Sequence, residues 1–268
     1  MARMALFYPN FGALADPRVM VELALEAEAA GWDGVFLWDH VQYREPVTDV
    51  GDPWTTLAAM AMATERITLG PLVTPLARRR PQIVARQSTT IDQLSNGRFV
   101  LGVGLGLDQS GTELSSFGEE LDAKRRASML DEALVVVRAL WSGERVDHHG
   151  EHYTAANVQF LPRPMQRPSI PIWAAGRYPY KAPVRRAARL EGLFPIELEH
   201  PDQLGEMLDV VKAERGSLDG FEVVCQGWTG DDPAPWVAAG ATWWLIRFDY
   251  ATISLDLARQ ALRNRPGS

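Results

Sequence analysis

Residues 66–106 read RITLGPLVTPLARRRPQIVARQSTTIDQLSNGRFVLGVGLG. Ile67–Leu69 is a short apolar run that predicts a strand, followed by a basic turn. Pro81–Leu94 carries Ile83, Val84, Ile91 and Leu94 at near-helical spacing, so a helix is expected there. Asn96-Gly97 ends it, and Arg98–Val103 reads as the next strand. Two strands of one sheet joined by a helix run parallel with a right-handed crossover. In such sheets ligands sit beyond the carboxyl ends of the strands. Those ends here are Pro71–Pro75 and Gly104–Gly106, and chemistry is expected around them.

The same alternation extends in both directions. Strands are expected at Met4–Tyr8 and Gly34–Trp38, with helices at Pro17–Ala30 and Pro53–Ala63. After the quoted segment a long helix is expected at Lys124–Trp141, its apolar face built from Met129, Leu130, Ala133, Val136, Val137 and Leu140. The polar, Pro-rich stretch 142–167 breaks the rhythm and reads as a hairpin and flap. Four further strands follow at Ile170–Ala174, Leu193–Ile196, Phe221–Cys225 and Thr242–Phe248. Helices are expected at Ala182–Leu190, Asp202–Ala213, Pro233–Ala239 and Leu255–Leu262. Eight strand–helix units in 268 residues predict a (β/α)8 TIM barrel, one domain over 1–268 with a short insertion at 142–167. A doubly wound open sheet is the alternative.

Composition narrows the partners. A formal net charge of -7 argues against nucleic acid. Cys225 is alone, so no disulfide framework is expected and a reducing compartment fits. No apolar run reaches membrane-spanning length, and Asn10, Asp16 and Arg18 interrupt any signal-peptide core. A cytoplasmic protein is therefore expected. Its partners would be a small-molecule substrate and no membrane.

Several groups of residues carry chemistry. Asp39-His40 ends the second strand; Asp accepts only, while His exchanges a proton near neutral pH. The competing reading is a cap and a solvated loop histidine. Pro71 removes a donor and forces the third strand out of the sheet. Gly102, Gly104 and Gly106 alternate, which leaves either a flat surface for a planar ring or room for a bulky neighbour. Gly176-Arg177 ends the fifth strand before a helix, a placement suited to phosphate. Arg78-Arg79-Arg80 reads as a solvated basic loop, and His148, His149 and His152 as solvated histidines with no metal. Glu197, Glu199, His200, Gln226, Trp228, Arg247 and Asp249 lie near later strand ends without an assignable role.

Four segments in order make the chain resemble the bacterial-luciferase-like family of flavin- and deazaflavin-dependent oxidoreductases. They are GWDGVFLWDHV near 31, ITLGPLVTP near 67, TIDQLSNGRFVLGVGLG near 90, and LWSGERVDHHGEHY with PIWAAGR; together they span about Met1–Ala188. The resemblance implies a homodimer and a flavin-type ring at the barrel mouth. The ring would be FMN, supplied by a flavin reductase, or the deazaflavin coenzyme F420. Its contacts would be Asp39, the bulge Leu72, Val73 and Thr74 with a non-prolyl cis peptide, and Gly104 and Gly106. Gly176 and Arg177 would hold phosphate, and His40 would handle protons. Asp39-His40 resembles deazaflavin members, and Leu105 stands where monooxygenases often place a phosphate-binding arginine, so coenzyme F420 is the favoured cofactor. Sugar-phosphate-oxidising members carry an acid directly after the glycines; Leu107 stands there, which argues against that substrate. The function expected is hydride transfer or monooxygenation of a small organic molecule. A cofactor-independent hydrolase on the same barrel and a binding-only relative are the other readings.

Overall fold

The structure, a computed structural model, describes residues 2–108 and 111–265. Its strands are β1 (Arg3–Tyr8), β2 (Gly34–Leu37), β3 (Thr68–Pro71), β4 (Thr74–Pro75), β5 (Leu101–Gly104), β6 (Arg145–His149), β7 (Thr154–Gln159), β8 (Ile172–Arg177), β9 (Gly192–Ile196), β10 (Glu222–Gly227) and β11 (Trp243–Arg247). The helices are α1 (Pro17–Ala29), α2 (Pro53–Ala63), α3 (Pro81–Leu94), α4 (Ala123–Trp141), α5 (Lys181–Ala188), α6 (Pro201–Arg215), α7 (Ala234–Ala238) and α8 (Leu255–Arg263). All except β6 and β7 join one parallel sheet in the order β3-β2-β1-β11-β10-β9-β8-β5-β4. A parallel bridge between Leu69 and Phe99 closes it, with Val100 N donating to Leu69 O at 2.9 Å. Since β3 and β4 are halves of one strand broken at Leu72-Val73, the closed sheet has the eight-stranded form expected of a TIM barrel.

Strand alternation sorts the core into two layers. Ala5, Phe7, Phe36, Leu72, Val100, Trp173, Phe194, Val224, Trp243 and Leu245 fill the barrel interior. The opposite faces pack beneath the helices, Trp244 and Cys225 among them. Trp243 and Trp244 thus point to opposite sides, as neighbours on a strand must.

Two boundaries differ instructively from the sequence reading. The strand expected at Arg98 begins only at Leu101. Arg98 is occupied with the end of α2, donating to the carbonyls of Ala61, Thr64 and Ile67. The third strand runs on to Pro71, because Leu37 O still accepts from Leu72 N at 2.8 Å.

The 142–167 insertion forms the β6–β7 hairpin and an extended return. It is tied down from both ends. Buried Asp92 on α3 accepts from the N–H groups of Met165 and Gln166, and Glu132 on α4 accepts from those of His152 and Tyr153. His148 and His152 are therefore not solvated: His148 bonds Glu132 at 3.0 Å, and His152, 5% exposed, bonds Ser128 at 2.8 Å. Among the described residues no group of His, Cys, Asp and Glu is arranged to hold a metal, and no helix is long and apolar enough to cross a membrane.

Candidate active site

At the carboxyl end of β2 the chain turns out of the barrel, and Asp39 turns under the rim. It is 1% exposed. One carboxylate oxygen accepts from Trp54 Nε1 at 2.9 Å and Thr74 Oγ1 at 2.7 Å. The other accepts from Arg79 at 2.7 Å and Arg78 at 3.1 Å. Burial alone would raise the Asp39 carboxyl; the two guanidiniums, with the bond from Trp54, overcome it and hold it below its ordinary range. This corrects one expectation. Arg78 and Arg79 are not a solvated loop: their side chains are 5% and 17% exposed. The oxygens of Asp39 are taken up by four neighbours, so it anchors β4 and the arginine turn.

His40 points the other way. Its Nδ1 lies 2.8 Å from Glu113 Oε2, and Glu113 also accepts from Val41 N at 3.0 Å and sits 3.3 Å from Arg78. A carboxylate so placed only accepts, so Nδ1–H donates to it and Nε2 is the ring nitrogen not engaged by Glu113. The histidine is 26% exposed while Glu113 is 5% exposed, so the mouth reaches the ring but not its partner.

No spacing rule singles out Glu113; it follows the glycine strand in a polar loop. Asp108, the first acid after the glycine strand, is committed locally. The Ser115 hydroxyl and the N–H groups of Leu114, Glu113 and Ser115 pull its carboxyl down to about 2. Asp108 thus folds the loop that presents Glu113.

Above the interior core lies a half-buried apolar ring: Trp38, Val73, Ala175 and Ile196, at the ends of β2, β4, β8 and β9. Trp38 contacts Phe7 and Phe11, and its buried Nε1 has no partner among the described residues. His40 is flanked by Trp38 and Tyr43, and Tyr43 by Tyr250. The non-prolyl cis peptide falls at Leu72-Val73. Of the three bulge residues only Val73 faces the mouth; Leu72 is 2% exposed and Thr74 0%.

The glycines serve this bulge. A Cβ on Gly102 would run into the Pro71 carbonyl and the Leu72 side chain, and one on Gly104 would lie 2.7 Å from Val73 Cγ2. Gly104 therefore makes room for Val73 rather than lying bare. Gly106 is past the strand with φ +72, and a Cβ there would meet Pro75 at 2.9 Å. A side chain at 106 is strained whether or not a ligand is bound.

Gly176 faces the helix layer, where a Cβ would meet Leu193 at 3.0 Å and Met207 at 3.3 Å. Arg177 faces the opposite way, 40% exposed, and pairs with Glu197 at 2.8 Å. No side chain caps the start of α5 just beyond it. Glu197 itself holds a positive φ of 58, a conformation uncommon outside glycine.

The profile of the luciferase-like monooxygenase family matches residues 4–230. The chain belongs to that family. It is 34% identical over 199 residues to an F420-dependent glucose-6-phosphate dehydrogenase of Microbacterium testaceum, covering 72% of this chain and 56% of that protein. A protein of the same description from Intrasporangium calvum is 34% identical over 169 residues, covering 62% and 50%. The chain thus spans about half the length of the curated relatives it matches. By structure it superposes on a coenzyme F420-dependent tetrahydromethanopterin reductase from Methanopyrus kandleri with a TM-score of 0.77 at 15% identity, covering 98% of both chains. A monooxygenase from Streptomyces bottropensis gives 0.77 at 19% identity, covering 98% of this chain and 97% of that one. These two likenesses speak for the luciferase-like barrel itself.

Proposed function

We propose that this luciferase-like chain is an oxidoreductase that binds coenzyme F420, in preference to FMN, at the carboxyl mouth of the barrel and acts on a small organic substrate. The observation that carries the reading is the His40–Glu113 pair standing beside an apolar ring of strand ends. The residues suit such a cofactor. Trp38, Val73, Ala175 and Ile196 offer an apolar floor to a planar ring, and the unpartnered Trp38 Nε1 offers a donor to its polar edge. Arg177 and the uncapped start of α5 offer charge and N–H groups to a phosphate tail, once Glu197 releases the arginine.

When bound, the deazaflavin supplies a hydride donor or acceptor, whereas FMN would add reactions with oxygen. The protein's own part is positional and protolytic. Glu113 fixes the imidazole so that His40 Nε2 takes the proton from a substrate hydroxyl, or returns it to a carbonyl. Asp39 holds Arg78, and through it Glu113, in place. The relatives' names favour coenzyme F420. Their sugar-phosphate substrate is not carried over, because Leu107 stands in the acidic position and Asp108 is bound to backbone. A cytoplasmic homodimer completes the reading, and a flavin reductase would be a partner only if FMN were the cofactor.

The test is a parallel titration of the protein with coenzyme F420 and FMN, read by quenching of the ligand's fluorescence. Tighter binding of coenzyme F420 is expected, weakened in Arg177→Ala. Binding of neither would return the cofactor-independent hydrolase as the better reading.

A further inference from the structure

Arg247 is the one charged residue of β11, and strand parity fixes its direction. Trp243 and Leu245 belong to the barrel interior, whereas Trp244 and Ile246 belong to the outer layer. Arg247 continues the inner series at the carboxyl end, so it faces the mouth. On neighbouring β10 the same parity brings Gln226 inward after Val224. With Glu197, Pro195, Leu198, Cys225 and Trp236, these two line a small depression at the ends of β9, β10 and β11; Cys225, Leu198 and Trp236 belong to its helix-layer side.

The guanidinium is held but unsatisfied. Its carbon lies 4.0 Å from the centroid of the Trp228 ring, an arrangement that braces the cation and leaves its in-plane donors open. Its Nε is buried with no hydrogen-bond partner among the described residues. The two carboxylates whose charge reaches it are engaged elsewhere. Asp231 accepts from the Trp228 backbone N–H at 2.7 Å, and Glu197 pairs with Arg177. Half-burial without an ion pair is costly for a guanidinium, which marks Arg247 as waiting for an acceptor.

The position suits a substrate. β11 and β2 flank β1, so Arg247 and the strand that leads to His40 are two strand spacings apart, about 10 Å. The rings between and above them, Phe7, Trp38, Tyr43 and Tyr250, are aromatic. Arg247 is level with Phe36 on β2 and His40 lies four residues beyond it, so a flat molecule somewhat longer than that spacing would reach from one to the other.

We propose that Arg247, braced on Trp228, is the recognition point for the carboxylate of a flat, apolar substrate whose other end reaches His40. A carboxylate matches a single guanidinium fork, which binds it through two parallel N–H···O bonds. A phosphate would call for further donors, and the neighbouring helices supply none: α7 has only five residues, and Ser254 caps α8 by accepting from Leu257 N. The assignment rests on the reading of the mouth as a reaction site, but its test does not require turnover.

The probe is benzoate, with benzamide as its uncharged isostere and inorganic phosphate as a competitor. Binding is measured by calorimetry, with and without coenzyme F420. Saturable benzoate binding is expected, at least about tenfold weaker in Arg247→Gln and partly retained in Arg247→Lys. Circular dichroism checks that each variant is folded. Should Arg247→Gln not fold, Trp228→Leu takes its place, with the same weakening expected because the brace is lost. Equal affinity for benzoate and benzamide, benzoate binding insensitive to both variants, tighter binding of phosphate, or no benzoate binding in either state would each overturn the proposal. Benzoate binding that depends on Arg247 in a protein with no affinity for coenzyme F420 would uphold it and sink the oxidoreductase reading instead.

Discussion

Replacing Asp39 by Asn removes one charge from the most densely bonded carboxylate of the rim. The wild-type group accepts from Trp54, Thr74, Arg78 and Arg79 at 2.9, 2.7, 3.1 and 2.7 Å. An amide has only one acceptor oxygen. Its NH2 must therefore point at either the arginine pair or the Trp54–Thr74 pair, all of them donors. Losing two bonds of this kind costs about 3–6 kcal/mol at 1.5–3 kcal/mol each. Breaking a buried ion pair from one side costs about 3–5 kcal/mol. Arg79, 17% exposed, regains some hydration, so about 3 kcal/mol is expected, which lowers Tm on the order of 10 °C.

Urea unfolding of the two proteins measures the gap. Its pH dependence is a second check. The Asp39 carboxyl is held below its ordinary value, so its stabilisation is fully present above the unfolded pKa of about 3.9 and is lost as pH falls through the folded value. The gap should thus stay constant between about pH 8 and 5 and close only in acid. A difference under about 1 kcal/mol, or one that shrinks between pH 8 and 6, would refute the argument that a charged Asp39 anchors the arginine turn.

Glu113→Gln leaves one acceptor for the two donors His40 Nδ1 and Val41 N, so the imidazole should lose its single tautomer. Nitrogen-15 NMR of labelled histidine reads this directly, and an unchanged His40 spectrum would remove Glu113 as the positioning residue. Gly102→Ala should destabilise the barrel by about 1–3 kcal/mol or more, whether or not a cofactor is present, since the new methyl meets the backbone of Pro71. A urea midpoint equal to wild type would show that the bulge can yield. Burial pushes the Cys225 thiol up to about 12, so it should resist maleimide at pH 8 in the folded protein and react on unfolding. Fast labelling of native protein would contradict its place under the helix layer.

The barrel was legible because its signals are local. Pro81–Leu94 and Pro53–Ala63 were delimited by Pro at the first turn and apolar spacing, and the structure gives both the same bounds. His40 and Asp39 were legible as a pair at a strand end, but their division of labour was not. Adjacent residues point to opposite sides where the strand runs out, so one entered the mouth and the other went under it. Arg78 and Arg79 looked solvated, because charge runs usually are; only the approach of the β2 end to the turn after β4 makes them a buried clamp.

Sequence alone determined the eight strand–helix units and the family, since each depends on short-range periodicity or on motifs in fixed order. The tertiary structure decided which carboxylate serves the histidine and which glycines are spoken for by neighbouring backbone. It also set Arg247 against the Trp228 ring rather than against a carboxylate. Glu113 meets His40 across 73 positions of chain, and Arg247 closes on the same mouth from the last strand. Such contacts follow from ring closure, which sets residues remote in sequence side by side and which no local pattern encodes.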